Sequence, residues 1–140
     1  DVYGVGNALV DIQSRIDDAI LESLVLEKGI MTLVDDDQQA AVLSRLQSQS
    51  LHRCAGGSAA NTIVGIAELG GSTAFTGKIA DDPIGNFFLE DMKQLGVDFR
   101  VQKSTSGQSG TCVVLITPDA QRTMLTNLAA STTLDEADID

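Results

Sequence analysis

Histidine and cysteine are scarce in this chain, and their scarcity excludes several kinds of catalytic site. His52 is the only histidine, so a histidine-based zinc site or a Ser-His-Asp triad within the chain is nearly excluded. The two cysteines, Cys54 and Cys112, lie far apart and lack the Cys-x-x-Cys spacing of metal and redox sites. We therefore expect two reduced thiols in a cytoplasmic protein rather than a disulfide.

Basic residues and long apolar runs are scarce as well. Nine Lys and Arg against twenty Asp and Glu give a net charge of −11. This balance argues against nucleic acid and anionic membrane as partners, although a local cation can still meet a phosphate. No apolar run approaches the roughly 20 residues that span a bilayer, and no signal-peptide pattern opens the chain.

What is present predicts an α/β chain, and at 140 residues a single domain is the default. The predicted strands are short apolar runs between turn residues: 2–7 (expected to be buried), 29–34, 51–54, 72–79, 97–102, 111–117 and 122–128. The last two bracket the turn at 118–121 and predict a β-hairpin. The predicted helices follow N-cap residues and cover 17–26, 35–47 and 82–95.

Three smaller expectations concern single positions. Ala40, Leu43 and Leu46 share one side of the helix over 35–47, which predicts its buried face. Thr133 and Glu136 have capping-box spacing, which predicts a helix that begins there. Because the chain stops soon afterwards, we expect a fragment of a longer protein. Lys78 follows a strand and is expected to be only a surface charge.

The segment Ala55-Gly56-Gly57-Ser58-Ala59-Ala60-Asn61 joins two glycines to a small-residue helix start. Glycines let a backbone approach a ligand closely, and a helix N-terminus offers free N–H groups. The spacing fits a ligand cradle and a plain strand-to-helix turn equally well. Asn61 likewise fits a ligand contact or a helix cap.

The order of the neighbouring segments carries more information. Upstream lies Tyr3-Gly4-Val5-Gly6-Asn7-Ala8-Leu9-Val10-Asp11-Ile12, and downstream lie Gly77-Lys78-Ile79-Ala80-Asp81-Asp82-Pro83-Ile84-Gly85-Asn86-Phe87 and Gly110-Thr111-Cys112-Val113-Val114-Leu115-Ile116-Thr117. In this order the segments resemble the N-terminal part of the PfkB (ribokinase-like) family of carbohydrate and nucleoside kinases, over nearly the whole chain. Adenosine kinases are the members that the chain resembles most, at residues 6–12, 110–112, 122 and 127–130. A Rossmann interpretation of residues 4–6 fails because no third glycine follows at the required spacing.

The resemblance implies an α/β fold, a ribokinase-like three-layer sandwich with a small β-sheet lid. Residues 1–140 would be the N-terminal part of one kinase domain, with lid strands near 12–34 and 98–128. The family's Gly-Ala-Gly-Asp motif, which supplies the catalytic base and an anion hole, does not occur in the chain. We therefore expect the C-terminal catalytic half to be absent and the chain alone to be inactive.

The resemblance also implies an acceptor site. The family binds sugar hydroxyls through a carboxylate after the first strand, the Gly-Gly turn and the following Asn, which implies Asp11, Gly56, Gly57 and Asn61. Arg122 would be the catalytic residue of this chain, stabilising the phosphate in transfer. The other positions that match the acceptor pocket are Asn7, Leu9, Leu33, Cys112, Met124, Thr126 and Leu128. From the residues alone, Asp11 also fits a solvated turn position and Arg122 a solvated hairpin cation.

The implied function is ATP-dependent phosphorylation of a primary hydroxyl of a nucleoside or sugar. Adenosine is the first expected acceptor, and a free sugar, as in ribokinase or fructokinase, is the second. ATP and Mg²⁺ are the implied cofactors, with no metal ligands assigned in this chain. A homodimer through the lid is a further expectation. A non-catalytic sugar- or nucleoside-binding module remains the alternative from another class.

Overall fold

The structure, a computed structural model, describes residues 1–100 and 103–139. The strands are β1 (Val2–Val5), β2 (Leu9–Arg15), β3 (Met31–Leu33), β4 (His52–Gly56), β5 (Thr73–Thr76), β6 (Asp98–Phe99), β7 (Gly110–Ile116) and β8 (Arg122–Asn127). The helices are α1 (Asp18–Ser23), α2 (Asp36–Arg45), α3 (Ser58–Glu68) and α4 (Pro83–Gln94), followed by two 3₁₀-helices, Ala129–Thr133 and Glu136–Asp138. Among the described residues, no helix has the length and apolar character that crossing a membrane requires.

The chain forms two compact units. The first unit comprises Asp1–Val10, Cys54–Thr111 and Leu128–Asp140, and the second comprises Asp11–Arg53 and Cys112–Asn127. The strands predicted for a lid, near 12–34 and 98–128, correspond to β2, β3, β6, β7 and β8. Of these, β6 belongs to the first unit. The strand predicted over 97–102 is confirmed at Asp98–Phe99, whereas residues 101 and 102 lie outside the described residues.

The first unit is built on a three-stranded parallel sheet with the order β1-β5-β6. Helix α3 packs against β1 and β5, and α4 packs against β6. The Phe75 ring is fully buried and lies 6.2 Å from the ring of Phe88 and 5.8 Å from that of Phe99. Each such ring pair adds about 0.5–1.5 kcal/mol beyond the burial of its area. All five aromatic residues of the chain belong to this unit.

Strand β1 is present as predicted, but the prediction that it is buried is wrong. Val2, Tyr3 and Val5 are between 41% and 43% exposed. Gly4 faces α3 so closely that an added Cβ would lie 2.4 Å from Cγ1 of Ile63. Because strand residues alternate between faces, Tyr3 and Val5 lie on the face opposite α3 and stay exposed.

The second unit is built on a five-stranded sheet with the order β3-β8-β7-β2-β4. Strands β7 and β8 are neighbours and confirm the predicted hairpin, whose turn is closed by Thr117 N–H donating to the carbonyl oxygen of Gln121 at 3.1 Å. The core beneath one face is wholly aliphatic and consists of Ile12, Ile16, Leu21, Leu46, Val113, Leu115 and Leu125. The two units therefore differ in the chemistry of their cores.

Helix α2 buries a different set of residues from the one predicted. Ala40 is exposed, so its predicted place on the buried face is wrong. Gln39 is buried instead, in a series that continues through Leu43 to Leu46. The Gln39 amide donates to the carbonyl oxygen of Leu125 at 3.0 Å, and this bond offsets the cost of burying the polar group.

Two expectations near the end of the chain are corrected. The capping box is formed by Asp135 and Asp138 rather than by Thr133 and Glu136, and it begins a short 3₁₀-helix. The Asp138 carboxylate also pairs with Lys78, whose side chain is only 15% exposed. Lys78 is therefore an ion-pair partner within the first unit rather than a plain surface charge.

Candidate functional site

One face of the five-stranded sheet carries most of the site residues predicted in the second unit. Core residues on β2, β7 and β8 point to the aliphatic side, so the residues next to them along each strand point to the other side. Leu33 of β3 lies on the same side as Thr126 of β8, because the two residues are paired in the register of these strands. The residues on this face, which we call the open face, are Asp11, Leu33, Cys112, Arg122, Met124 and Thr126.

Asp11 lies within β2 and is half-buried, so its interpretation as a solvated turn residue is wrong. Burial raises the pKa of its carboxyl to about 6, and the charge of Arg122 opposes this shift only in part. Among the described residues, none donates a hydrogen bond to this carboxylate. Burial removes part of the water that hydrates this carboxylate, and no described residue donates a hydrogen bond in its place. Such a carboxylate can accept hydrogen bonds from the hydroxyl or N–H groups of a ligand.

Arg122 is the first residue of β8, and its side chain is exposed. Within residues 1–100 and 103–139 it has no ion-pair partner. Its charge reaches Asp11 and lowers the pKa of that carboxyl. The planar guanidinium is thus available to an anion, while its exposure also agrees with a solvated hairpin cation.

Cys112 is 5% exposed, and the hydroxyl of Thr126 lies 3.3 Å from its sulfur. Burial raises the pKa of the Cys112 thiol, the Thr126 hydrogen bond opposes that change, and the charge of Asp11 adds to it. A buried thiol with a raised pKa is a poor nucleophile. Cys112 therefore contributes shape to the open face and no covalent chemistry.

The edge of the open face is apolar. Leu33 is 60% exposed and Met31, two residues before it, is 52% exposed. Met31 pairs with Met124 of β8. Exposed apolar side chains beside one carboxylate and one guanidinium are the usual composition of a small-molecule surface.

The predicted site residues of the first unit cluster around the glycine turn. Strand β4 ends at Gly56 and α3 begins at Ser58, so the predicted strand-to-helix turn is confirmed. Gly57 has φ +106°, and an added Cβ would lie 2.5 Å from the carbonyl oxygen of Asn7. Only glycine fits this conformation and this approach. Asn61 is exposed in the first turn of α3 and does not cap the helix, because Gly57 occupies the N-cap.

Leu9 and Leu128 approach each other at Gly110. An added Cβ at Gly110 would lie 2.5 Å from Cδ2 of Leu9 and 2.7 Å from the carbonyl oxygen of Leu128. The Leu9 side chain is only 7% exposed, so it packs rather than presents itself to a ligand. The sequence interpretation did not predict this close approach at Gly110. A glycine at the start of an apolar strand is nevertheless typical of a position that another part of the chain approaches closely.

The sequence interpretation also missed Asp91 of α4. Its carboxylate accepts a hydrogen bond from the backbone N–H of Ala55 at 2.6 Å, immediately before the glycine turn. Its place in the helix could have indicated this role, because Asp91 lies beside the buried Met92 on the inward side of α4. An acidic residue there requires a donor.

The residues that the structure describes contain no group of three or more His, Cys, Asp or Glu that could hold a metal ion. They therefore offer no preformed cage of three protein ligands, and Mg²⁺ in phosphoryl-transfer sites is usually held by one or two carboxylates and the substrate phosphates. A phosphate group itself fits the exposed guanidinium of Arg122.

Comparison with known proteins assigns the class. The model of the pfkB family of carbohydrate kinases matches residues 25–140, and the chain belongs to this family. The chain is 37% identical to an adenosine kinase from Sinorhizobium meliloti, covering 100% of this chain and 42% of that one with a TM-score of 0.91. A probable sugar kinase from Rhizobium etli matches with 34% identity, the same coverages and a TM-score of 0.91. The predicted α/β, ribokinase-like fold is thereby confirmed.

A fructokinase from Klebsiella pneumoniae is 38% identical over 65 residues, which are 46% of this chain and 21% of the fructokinase. The chain thus spans less than half the length of these relatives. Nucleoside and sugar kinases both occur among them, so similarity alone does not choose between a nucleoside and a sugar as the acceptor.

Proposed function

We propose that the protein carrying this chain transfers the terminal phosphoryl group of ATP to a primary hydroxyl of a small acceptor, with adenosine as the first acceptor and a free sugar as the second. The observation that carries the proposal is the open face, where Asp11 and Arg122 stand within electrostatic reach of each other. Family membership supplies the reaction class.

Asp11 would bind acceptor hydroxyls. Its carboxylate has two oxygens, a raised pKa and no donor among the described residues. Two vicinal hydroxyls would replace the lost water and favour the ionised form. Hydrogen bonds to a charged group contribute about 1.5–3 kcal/mol each, so Asp11 would determine much of the acceptor affinity.

Arg122 would act on the phosphoryl group. In the transfer, the acceptor oxygen forms a bond to the terminal phosphorus, the bond from that phosphorus to the bridging oxygen breaks, and ADP leaves. The guanidinium fork would offset the negative charge on the phosphoryl oxygens. The base that removes the acceptor proton is expected outside this chain, because the family's Gly-Ala-Gly-Asp motif is absent from it. The described residues contain no cluster of three or more metal-ligating side chains, and no step is assigned to Mg²⁺ here.

The acceptor would lie against the open face. Leu33, Met124 and the buried Cys112 offer an apolar surface of the kind that a purine or a sugar ring covers. The second unit has no Phe, Tyr or Trp, so it offers none of these rings to stack on a base, and this observation supports the sugar as the second candidate. In the first unit, the positions that stay predicted to bind the acceptor are Asn7, Gly56, Gly57, Asn61 and Leu128, whereas the buried side chain of Leu9 packs inside the unit.

The test measures ADP release with adenosine and with fructose, in the protein carrying this chain and in variants. We expect Asp11→Ala to lower kcat/KM by roughly 10²-fold or more, as the loss of two charge-assisted hydrogen bonds implies. Arg122→Ala should lower kcat while the acceptor Kd, measured by calorimetry, stays within a few-fold. Arg122→Lys should restore little, because a point charge lacks the planar fork.

Arg45→Ala is the matched control, since Arg45 is an exposed arginine in the last turn of α2 and lies off the open face. It should leave both constants unchanged. Wild-type kcat in Arg122→Ala would identify that residue as a solvated cation and remove it from the mechanism. Acceptor binding without any ADP release, in a preparation that binds ATP, would favour the non-catalytic binding module.

A further inference from the structure

The glycine turn of the first unit, Gly56-Gly57, is held in place by the segments around it. Glycines carry no side chain that could anchor them by packing, so the position of this turn depends on contacts made by its backbone and its neighbours. On one side, Gly57 lies so close to the carbonyl oxygen of Asn7 that an added Cβ would be 2.5 Å from it. The other side, where β4 arrives at the turn, is held by a different contact.

That contact is the hydrogen bond that the backbone N–H of Ala55 donates to Oδ2 of Asp91, at 2.6 Å. Strand β4 lies at the edge of its sheet, so part of its N–H groups have no neighbouring strand to bind. Ala55 is only 9% exposed, and a buried N–H requires an acceptor. Asp91, 36 positions away in sequence, supplies this acceptor. Because the acceptor is a carboxylate, the bond is stronger than one to a neutral carbonyl.

The helix that carries Asp91 is firmly packed. Phe88 and Met92 of α4 are 1% and 0% exposed. The ring of Phe88 lies 6.2 Å from that of Phe75 and 5.2 Å from that of Phe99. A carboxylate on an element fixed in this way can hold the end of β4 at a defined place. The aromatic core of the first unit is thereby linked to the glycine turn through one side chain.

We propose that Asp91 is a positioning residue for the acceptor site: its carboxylate fixes Ala55 and, through Ala55, the Gly56-Gly57 turn. Asp91 acts through the backbone and does not touch the acceptor. The inference rests on the proposed function, in which Gly56 and Gly57 bind the acceptor. A shift of about 1 Å in a group that positions a substrate can cost up to about 10²-fold in rate. Since the turn would contact the acceptor before transfer begins, loss of Asp91 should weaken acceptor binding more than it slows the transfer step.

The test compares Asp91→Ala with Glu90→Ala in the protein carrying this chain, with adenosine and with fructose. Glu90 is the exposed neighbour on α4, so its replacement removes the same charge without removing the bond to Ala55. Asp91→Ala should raise the acceptor KM and Kd about tenfold and keep kcat within about threefold, measured well below Tm, which this change should also lower. Asp91→Asn keeps a side-chain oxygen as acceptor and should restore most of the affinity. Glu90→Ala should leave all these constants unchanged.

Amide hydrogen exchange adds a readout that does not depend on activity. The Ala55 amide should exchange about tenfold faster in Asp91→Ala than in the parent or in Glu90→Ala. An active parent whose KM is unchanged in Asp91→Ala, an equal rise in Glu90→Ala, or a fall in kcat alone would overturn this inference and leave the proposed function standing. No ADP release from the parent with either acceptor would overturn both. If Asp91→Ala does not fold, Asp91→Asn and Glu90→Gln give the same comparison, with KM about two- to threefold higher in Asp91→Asn only.

Discussion

The two units present their predicted site residues in different ways. In the first unit the key position is a backbone one, Gly57, held against the carbonyl oxygen of Asn7. In the second unit the key positions are side chains, Asp11 and Arg122, which have no hydrogen-bond or ion-pair partner among the described residues. A backbone position fixed by close packing is sensitive to any added atom, whereas a partnerless charge is costly to the fold and useful to a ligand. Changes in the first unit should therefore act first on stability, and changes on the open face first on binding.

The largest expected effect is that of Gly57→Ala. The added methyl group would combine a left-handed φ of +106° with an approach of 2.5 Å to a backbone oxygen. We expect a loss of about 3 kcal/mol or more in the free energy of unfolding, measured by chemical denaturation. Gly65→Ala is the matched control in the same helix, because an added Cβ meets nothing within 4 Å there. It should stabilise by about 0.5–1 kcal/mol, and equal effects of the two changes would contradict the argument.

An intermediate loss of stability is expected when a helix cap is removed, and the loss should be larger in the first unit than in the second. The carboxylate of Asp82 caps α4 by accepting from Gly85 N–H at 2.7 Å, and it also accepts from Ser109 N–H at 2.8 Å. Asp35 caps α2 with partners only in its own first turn. Asp82→Ala should cost about 2 kcal/mol and Asp35→Ala about 1 kcal/mol.

The effect of Asp82 should also depend on pH. Burial raises the pKa of Asp82, but the hydrogen bonds from Gly85 and Ser109 outweigh it and hold the pKa below its usual value. Its contribution is therefore present above the unfolded pKa and is lost as pH falls through the folded one. Denaturation curves of Asp82→Ala and the parent protein should converge in acid. A gap that persists at low pH would show that the carboxylate charge is not involved.

The smallest effect on stability, and one of opposite sign, is expected for Asp11→Asn. The folded pKa of Asp11 is about 6 against its ordinary value of 3.8, so the native state binds more protons than the unfolded state between these pH values. The stabilising contribution of the protonated form is present below the unfolded pKa and is lost as pH rises through about 6. Near neutral pH, Asp11→Asn should be more stable than the parent by about 1 kcal/mol, after allowance for screening of a half-buried group.

Thermal unfolding across pH checks this expectation. The two proteins should have similar Tm in acid and separate as pH rises through about 6. In the same range kcat/KM of the parent should rise with pH, because the ionised carboxylate binds hydroxyls better, while the Asn variant stays low. A variant that is less stable than the parent at neutral pH would show that Asp11 has a structural partner.

The sequence predicted most helices and strands, because caps and turn residues that lie next to them along the chain determine where they begin and end. Asp82 followed by Pro83 predicts the start of α4, and the turn after Thr117 predicts the β7–β8 hairpin; both are present. Ala40 and Gln39 show where prediction from neighbouring residues fails. Helical periodicity allowed either residue to face inward. Gln39 is the buried one, and its amide donates a hydrogen bond to the carbonyl oxygen of Leu125, 86 residues away in sequence. No local pattern contains that acceptor.

The features of the candidate site also differ in whether neighbouring residues or the tertiary structure determine them. The sequence by itself determined the order of segments, the glycine turn, the family and the identity of residues such as Asp11 and Arg122, since each depends on neighbours along the chain or on a motif. Only the tertiary structure decided that Asp11, Cys112 and Arg122 share one face, that burial brings the pKa of Asp11 to about 6, and that Asp91 accepts from the N–H of Ala55. The reason is physical: strand pairing and burial join residues about 100 positions apart, and the desolvation that sets their chemistry exists only once the chain has packed.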